Sequence, residues 1–123
     1  MKTITYKDGD VKVEVLTIIY KIAMLMKEET LDVLKEVYEK SWTERAEFLF
    51  DKEYEEMNNF INSPSKEAFL GVIAYGNKLR DEIGMTKEEE QELTSYTGQV
   101  YHKFNDKKKD MLADLARQLI DAA

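Results

Sequence analysis

His102 is the single imidazole among the 123 residues, and cysteine is absent. These two counts limit the chemistry open to the chain. Without cysteine there is no thiolate nucleophile, disulfide, zinc–thiolate site or iron–sulfur cluster. His102 stands in Val100-Tyr-His-Lys-Phe104, off the apolar seam of its segment. A general base needs a nucleophile in reach and a third group to orient it, and no spacing in the sequence supplies either. A carboxylate-bridged metal centre in a helical bundle needs Glu-x-x-His twice. The residue three before His102 is Gln99, and one histidine cannot serve two such motifs. Asp8-Gly9-Asp10 begins like an acidic calcium loop, but the ligand pattern of that loop does not follow. Gly71-Val-Ile-Ala-Tyr-Gly-Asn-Lys78 superficially resembles a phosphate loop. Its lysine falls one position late, no Ser or Thr follows, and the intervening residues are apolar and helical in pattern. Close helix packing explains its two glycines better. The expectation is therefore no metal, no cofactor and no enzyme; a small enzyme built on His102 ranks behind a binding module and an assembly protein, and ahead only of direct nucleic-acid binding.

Charge carries more information than catalysis does. The net charge is −7, and residues 28–62 hold eleven acids against four bases, which equals the whole imbalance. Residues 1–27 carry five lysines against three acids. A net negative chain is repelled by nucleic acid and by anionic lipid, so direct binding to either is not expected. If residues 28–51 run as one helix, Glu29, Asp32, Glu36 and Glu47 fall within about 60° of one another, with Glu39 beside them. Such a stripe, extended by Glu44, would suit a basic partner surface, even one that normally holds a nucleic-acid backbone. Lys40 lies in the same stripe, and mixed signs are what an ordinary solvated face shows. Trp42, Phe48 and Tyr101 fit their helical seams poorly and are candidate interface anchors beside these charges. Packing under an N-terminal hairpin accounts for them equally well. Lys107-Lys108-Lys109 is flanked by Asp106 and Asp110 and reads as a solvated face.

These residues must be positioned by a mainly α fold: a compact helical domain of four to five helices with a short N-terminal β-hairpin. Residues 3–15 carry the hairpin signal. With Asp8-Gly9 as the loop, Tyr6 faces Val11 and Ile4 faces Val13, all on one face. A helix capped by Asp10, with its seam through Val11, Val15, Ile18, Ile22 and Leu25, competes for the same residues; the density of Val, Thr, Ile and Tyr favours the hairpin. Residues 16–61 follow a helical period, with Thr30 as an internal N-cap and a break at the capping-box pattern Ser41-Trp-Thr-Glu44. Ser63-Pro64 opens a helix over 64–83, with Ser63 as N-cap and Pro64 as its first residue. Gly84 closes that helix. Thr86-Lys-Glu-Glu89 opens residues 87–121, read as one long helix or a pair broken at Asn105-Asp106.

The whole chain, 1–123, reads as a single domain. The first apolar stretch, Val15 to Met26, contains Lys21 and follows three acids, unlike a secretory leader. A cytoplasmic location is expected. In size, acidity and lack of cysteine the chain resembles small phage and mobile-element proteins that inhibit or regulate host machinery. That resemblance extends to no motif and assigns no residue. The leading expectation is a non-enzymatic, acidic protein-binding module that docks on a basic or nucleic-acid-binding protein. The alternative is a structural or assembly protein that self-associates, since a long C-terminal helix could pair with its own copy.

Overall fold

The computed structural model describes residues 2–95 and 97–123, with side chains described outside 93–99. Strands β1 (Thr3–Tyr6) and β2 (Gly9–Lys12) form an antiparallel hairpin. Among the described residues seven helices follow: α1 (Val13–Leu25), α2 (Lys27–Val37), α3 (Glu44–Asn62), α4 (Lys66–Ile83), α5 (Lys87–Ser95), α6 (Thr97–His102) and α7 (Asp106–Ala122). The mainly helical architecture with an N-terminal hairpin is as the patterning predicts.

The register of the hairpin is not. Ile4 pairs with Val11 and Tyr6 with Gly9, so the loop is Lys7-Asp8 and the strands sit two residues from the expected pairing. Gly9 follows the loop at φ 131°, a conformation that only glycine adopts without strain. Thr5 Oγ1 donates to Asp10 Oδ1 at 2.7 Å across the strands and fixes this alignment. An even slip leaves every side chain on its original face, so Ile4 still reaches the core. The hairpin ends three residues early. Val13 N–H donates to Lys2 O at 3.0 Å, and α1 starts from that bond.

An antiparallel pair, α3 and α4, forms the centre. Leu49, Phe50, Tyr54, Met57 and Phe60 of α3 meet Ala68, Phe69, Val72, Leu79 and Ile83 of α4. Leu16 and Tyr20 of α1, Leu34 of α2 and Ile4 of β1 complete this core. Aromatic edges lock it: Tyr20 meets Phe60, and Tyr6 meets Phe69, each at 5.2 Å between centroids. Helix α1 packs on α3 and also on α7. A smaller cluster of Val33, Val100 and Phe104 joins α2 to α6 and to the turn that precedes α7.

Several helix ends differ from expectation. Residues 16–61 break twice: at Met26, so that Thr30 lies inside α2, and again between Val37 and Glu44. Thr43, not Ser41, caps α3, its hydroxyl accepting from Ala46 N–H at 3.0 Å. Ser41 Oγ instead donates to Ile83 O at 2.9 Å, joining the α2–α3 link to the end of α4. Ser65, not Ser63, caps α4, accepting from Ala68 N–H at 3.0 Å. Pro64 thus precedes the cap, where its fixed φ and missing N–H are still tolerated. The Gly84 stop is as predicted: Gly84 adopts φ 73°, and Met85 N–H reaches back to Arg80 O at 2.9 Å. The Thr86–Glu89 box forms in both directions, at 3.1 and 3.2 Å. The chain breaks before α7 as the sequence suggests, with Asn105 Oδ1 capping Lys108 N–H at 2.8 Å. A continuous C-terminal helix is thereby excluded.

Candidate functional site

The break between α2 and α3 dissolves the continuous stripe inferred for residues 28–51, because those residues no longer share one helix axis. Tertiary packing builds a different acidic surface. The last turns of α2 and α4 meet the first turns of α3 and α5. Four contacts hold this end together: Ser41 to Ile83 O at 2.9 Å, Thr43 to Glu82 at 2.8 Å, Tyr38 to Glu89 at 2.7 Å, and Lys35 to Glu47 at 3.1 Å. Glu36, Glu39, Glu44, Asp81 and Glu88 are exposed there without an ion pair among the described residues.

The residues singled out in the sequence divide between roles. Glu36, Glu39 and Glu44 lie in this acidic end. Asp32 is exposed in the middle of α2. Glu29 is drawn away: Lys108 Nζ lies 2.6 Å from its Oε1, and its Oε2 is buried without a partner among the described residues. Glu47 accepts from Trp42 Nε1–H at 2.8 Å and pairs with Lys35, and these bonds hold its carboxyl below the usual range. Trp42 is therefore not a free anchor. Its ring is half-buried and meets Phe50 edge-on at 6.4 Å. Phe48 is 52% exposed, one helical turn from Glu44, with Lys52 over its ring. Tyr101 is exposed on α6, remote in sequence from the acidic end, and Lys109 Nζ lies 5.1 Å from its ring centroid. Within the lysine triplet, Lys108 is committed to Glu29 and Lys109 to Tyr101.

His102 is exposed at the end of α6 and neighbours only the ring of Tyr101 among the aromatic contacts described. Among the described residues no group of three or more His, Asp and Glu side chains is placed to hold a metal ion, and no helix is long and apolar enough to cross a membrane.

Four acids of the acidic end, Asp81, Glu82, Glu88 and Glu89, come from outside the segment of highest charge density. Sequence reasoning missed them because only the Gly84 turn brings α4's end and α5's start beside α2. Glu53 was missed as well, although its position is legible. It stands three residues after Phe50 and four before Met57, inside the apolar face of α3. An acid at a seam position is a signal of a buried carboxyl.

Glu53 borders a cavity of about 710 Å³ between α2, α3, α4 and α5. Its carboxyl lies across Gly76, where a Cβ would stand 3.1 Å from Oε1. Gly71 makes the same kind of room for Glu56, at 2.8 Å from Oε2. The two glycines of α4 thus admit glutamate side chains of α3. Burial pushes the Glu53 carboxyl up to about 7, against the pull of Arg80, with Glu90 adding to the rise. The neighbouring Tyr20 and Tyr54 hydroxyls are pushed up by burial and by the Glu53 charge.

No family model, curated protein or solved structure matches this chain.

Proposed function

We propose that this chain is a non-enzymatic protein-binding module that docks on a basic partner surface through the acidic end of its helical bundle. The observation that carries the reading is the pair Glu36 and Asp81. Both are exposed carboxylates in the last turn of a helix, α2 and α4 respectively, and neither has an ion pair among the described residues. The negative end of a helix dipole disfavours an anion by about 0.3–1 kcal/mol. The cationic side chains of those same turns are turned to other partners, Lys35 to Glu47 and Arg80 to Glu90. Acids retained where they oppose local stability are expected at a surface used for recognition. Exposed Val37 and Phe48 at the same end would supply apolar contact within the charged rim. Docked on a nucleic-acid-binding protein, such a surface would act as an inhibitor or regulator.

The test is affinity capture from a lysate of the source cells, with and without nuclease, eluted in rising salt. The expected result is one protein partner that survives nuclease and leaves at moderate salt. Glu36→Lys/Glu39→Lys/Glu44→Lys loses that partner. A control, Glu14→Lys/Glu67→Lys, reverses charge at the opposite end of the bundle and keeps it. Retention by the first variant, or loss on nuclease treatment, overturns the reading.

A second reading, self-association, is favoured by α7. That helix carries an apolar line yet buries no residue, and Met111 and Ile120 are 47% and 74% exposed. On α1, against which it packs, Ile19 is exposed as well. Light scattering over a wide concentration range tests it: a mass that doubles with concentration, and stays monomeric in Ile120→Glu, supports a dimer through this face.

A further inference from the structure

We infer that the cavity beside Glu53 is a binding site for an organic ammonium compound, a cation carried on an apolar body. The inference stands apart from the acidic end and does not depend on it. The cavity, about 710 Å³, falls within the range of roughly 300–1,000 Å³ typical of small-molecule sites. Its walls are mostly apolar, with Met26, Leu34, Phe50, Leu79 and Met85 contributed by three helices and the turn residues beside them. Such walls favour a ligand that brings apolar surface with it.

The polar groups decide the sign of that ligand. Arg80 is already engaged: its Nε lies 3.4 Å from Glu90 Oε1, and its Nη2 donates to Asn77 Oδ1 at 2.7 Å. Glu53 is different. Its carboxyl has no hydrogen bond among the described residues, although it lines the cavity and is held over Gly76. The charged and titratable groups that face it or share its cavity are Arg80 on α4, Lys87 and Glu90 on α5, Tyr20 on α1 and its neighbour Tyr54. An anionic ligand could meet Lys87 at the α5 wall, but it would still face the carboxylates of Glu53 and Glu90. A neutral apolar ligand would deepen the desolvation of the carboxyl. An ammonium group supplies what the Glu53 carboxyl has from no described residue, a hydrogen-bond donor at its oxygens, together with a countercharge in contact with it, where low dielectric strengthens the pair. The Phe50 and Tyr54 rings, 4.5 Å apart between centroids, add aromatic surface, and the Tyr54 ring has Lys27 Nζ 5.6 Å from its centroid.

Burial holds a proton on the Glu53 carboxyl up to about pH 7, against the pull of Arg80. A bound ammonium group replaces that proton as the countercharge. Binding is therefore coupled to deprotonation and strengthens as pH rises through this range.

The experiment uses the full chain with ¹³C-methyl-labelled methionine. Met26 and Met85 line this cavity, whereas Met111 lines a separate groove beside α1. The probes are 2-phenylethylamine, 2-phenylethanol and 3-phenylpropionate, titrated to about 10 mM, which covers the weak affinities expected of small probes. The amine should move Met26 and Met85 saturably and leave Met111 in place. The alcohol should bind about tenfold more weakly, and the carboxylate weaker still. For wild type, amine affinity should fall about tenfold from pH 8 to pH 6, following the loss of the carboxylate. Glu53→Gln should bind amine and alcohol alike. Three results overturn the proposal: the alcohol binding wild type as tightly as the amine, Glu53→Gln keeping the amine preference, or no saturable movement of Met26 and Met85. The probe comparison and the pH dependence are read on wild type, so they hold even if the variant misfolds.

Discussion

The ammonium of Lys108 lies 2.6 Å from Glu29 Oε1, a link between α7 and α2 across 79 positions of sequence. It is the most enclosed ion pair among the described residues, with side chains 26% and 13% exposed. The second oxygen of Glu29 is buried and has no hydrogen-bond partner among the described residues. The pair thus holds a carboxylate away from water with half its capacity unused. The Lys108 ammonium also lies over the Phe104 ring, 5.5 Å from its centroid, and that ring belongs to the small cluster beneath. The link therefore joins the charge at the start of α7 to the packing of α6 on α2.

Removing one partner should cost more than removing both. Lys108→Met leaves Glu29 enclosed and uncompensated, with an expected loss of about 1–3 kcal/mol. Glu29→Gln/Lys108→Met should recover most of it, because no enclosed charge remains. Urea unfolding of the two variants beside wild type measures the difference. Equal losses in both would show that the pair stabilises by packing alone.

Neutralising the two carboxylates that oppose the helix dipoles should stabilise the fold. Glu36→Gln and Asp81→Asn are each expected to add about 0.3–1 kcal/mol, and the effects should sum, since the residues lie on different helices without a shared partner. The same changes should weaken capture of the basic partner. Thermal unfolding reads the first effect and salt-graded elution the second. A variant that gained stability and kept its binding would separate these acids from recognition.

Stability should fall between about pH 4.5 and pH 7 because of Glu53. Its folded-state value is raised from 4.5 to about 7, so the folded chain holds a proton that the unfolded chain has already lost. That contribution is fully present below the unfolded value and disappears as pH rises through the folded one. The loss is on the order of 2 kcal/mol once water in the cavity is allowed for. Glu53→Gln should abolish this slope and be more stable than wild type at pH 8. Urea midpoints from pH 4.5 to pH 8.5 provide the comparison.

Glu89 should behave in the opposite direction. The Tyr38 hydroxyl donates to it, and the Thr86 cap engages it from the other side, so its carboxyl is held below the usual range. Stability from this group is present above that range and is lost on acidification. Tyr38→Phe should raise the Glu89 titration midpoint in a carboxyl-carbon NMR titration. An unmoved midpoint would mean the Thr86 cap alone sets it.

The sequence by itself determined where helices stop and start in kind, though not always in position. Gly84 closes α4 because only glycine takes its backbone angle cheaply, and Thr86–Glu89 and Asn105 open helices through bonds of their own side chains. Such signals are local, and the residues carrying them are within four positions of one another. Where Ser41 and Thr43 were both available as caps, the choice fell to a tertiary contact: Ser41 is taken by the end of α4. The hairpin kept its faces but slid by two residues, since period-2 patterning fixes a face and not a register. The charge excess over residues 28–62 was legible as composition. Its geometry was not, because the chain breaks after Val37, Glu29 pairs with Lys108 of α7, and the link after α2 is tied through Ser41 to the end of α4. Which carboxylates stay in water, and which is enclosed over Gly76, depends on where distant helices pass one another. No spacing along a single helix carries that information.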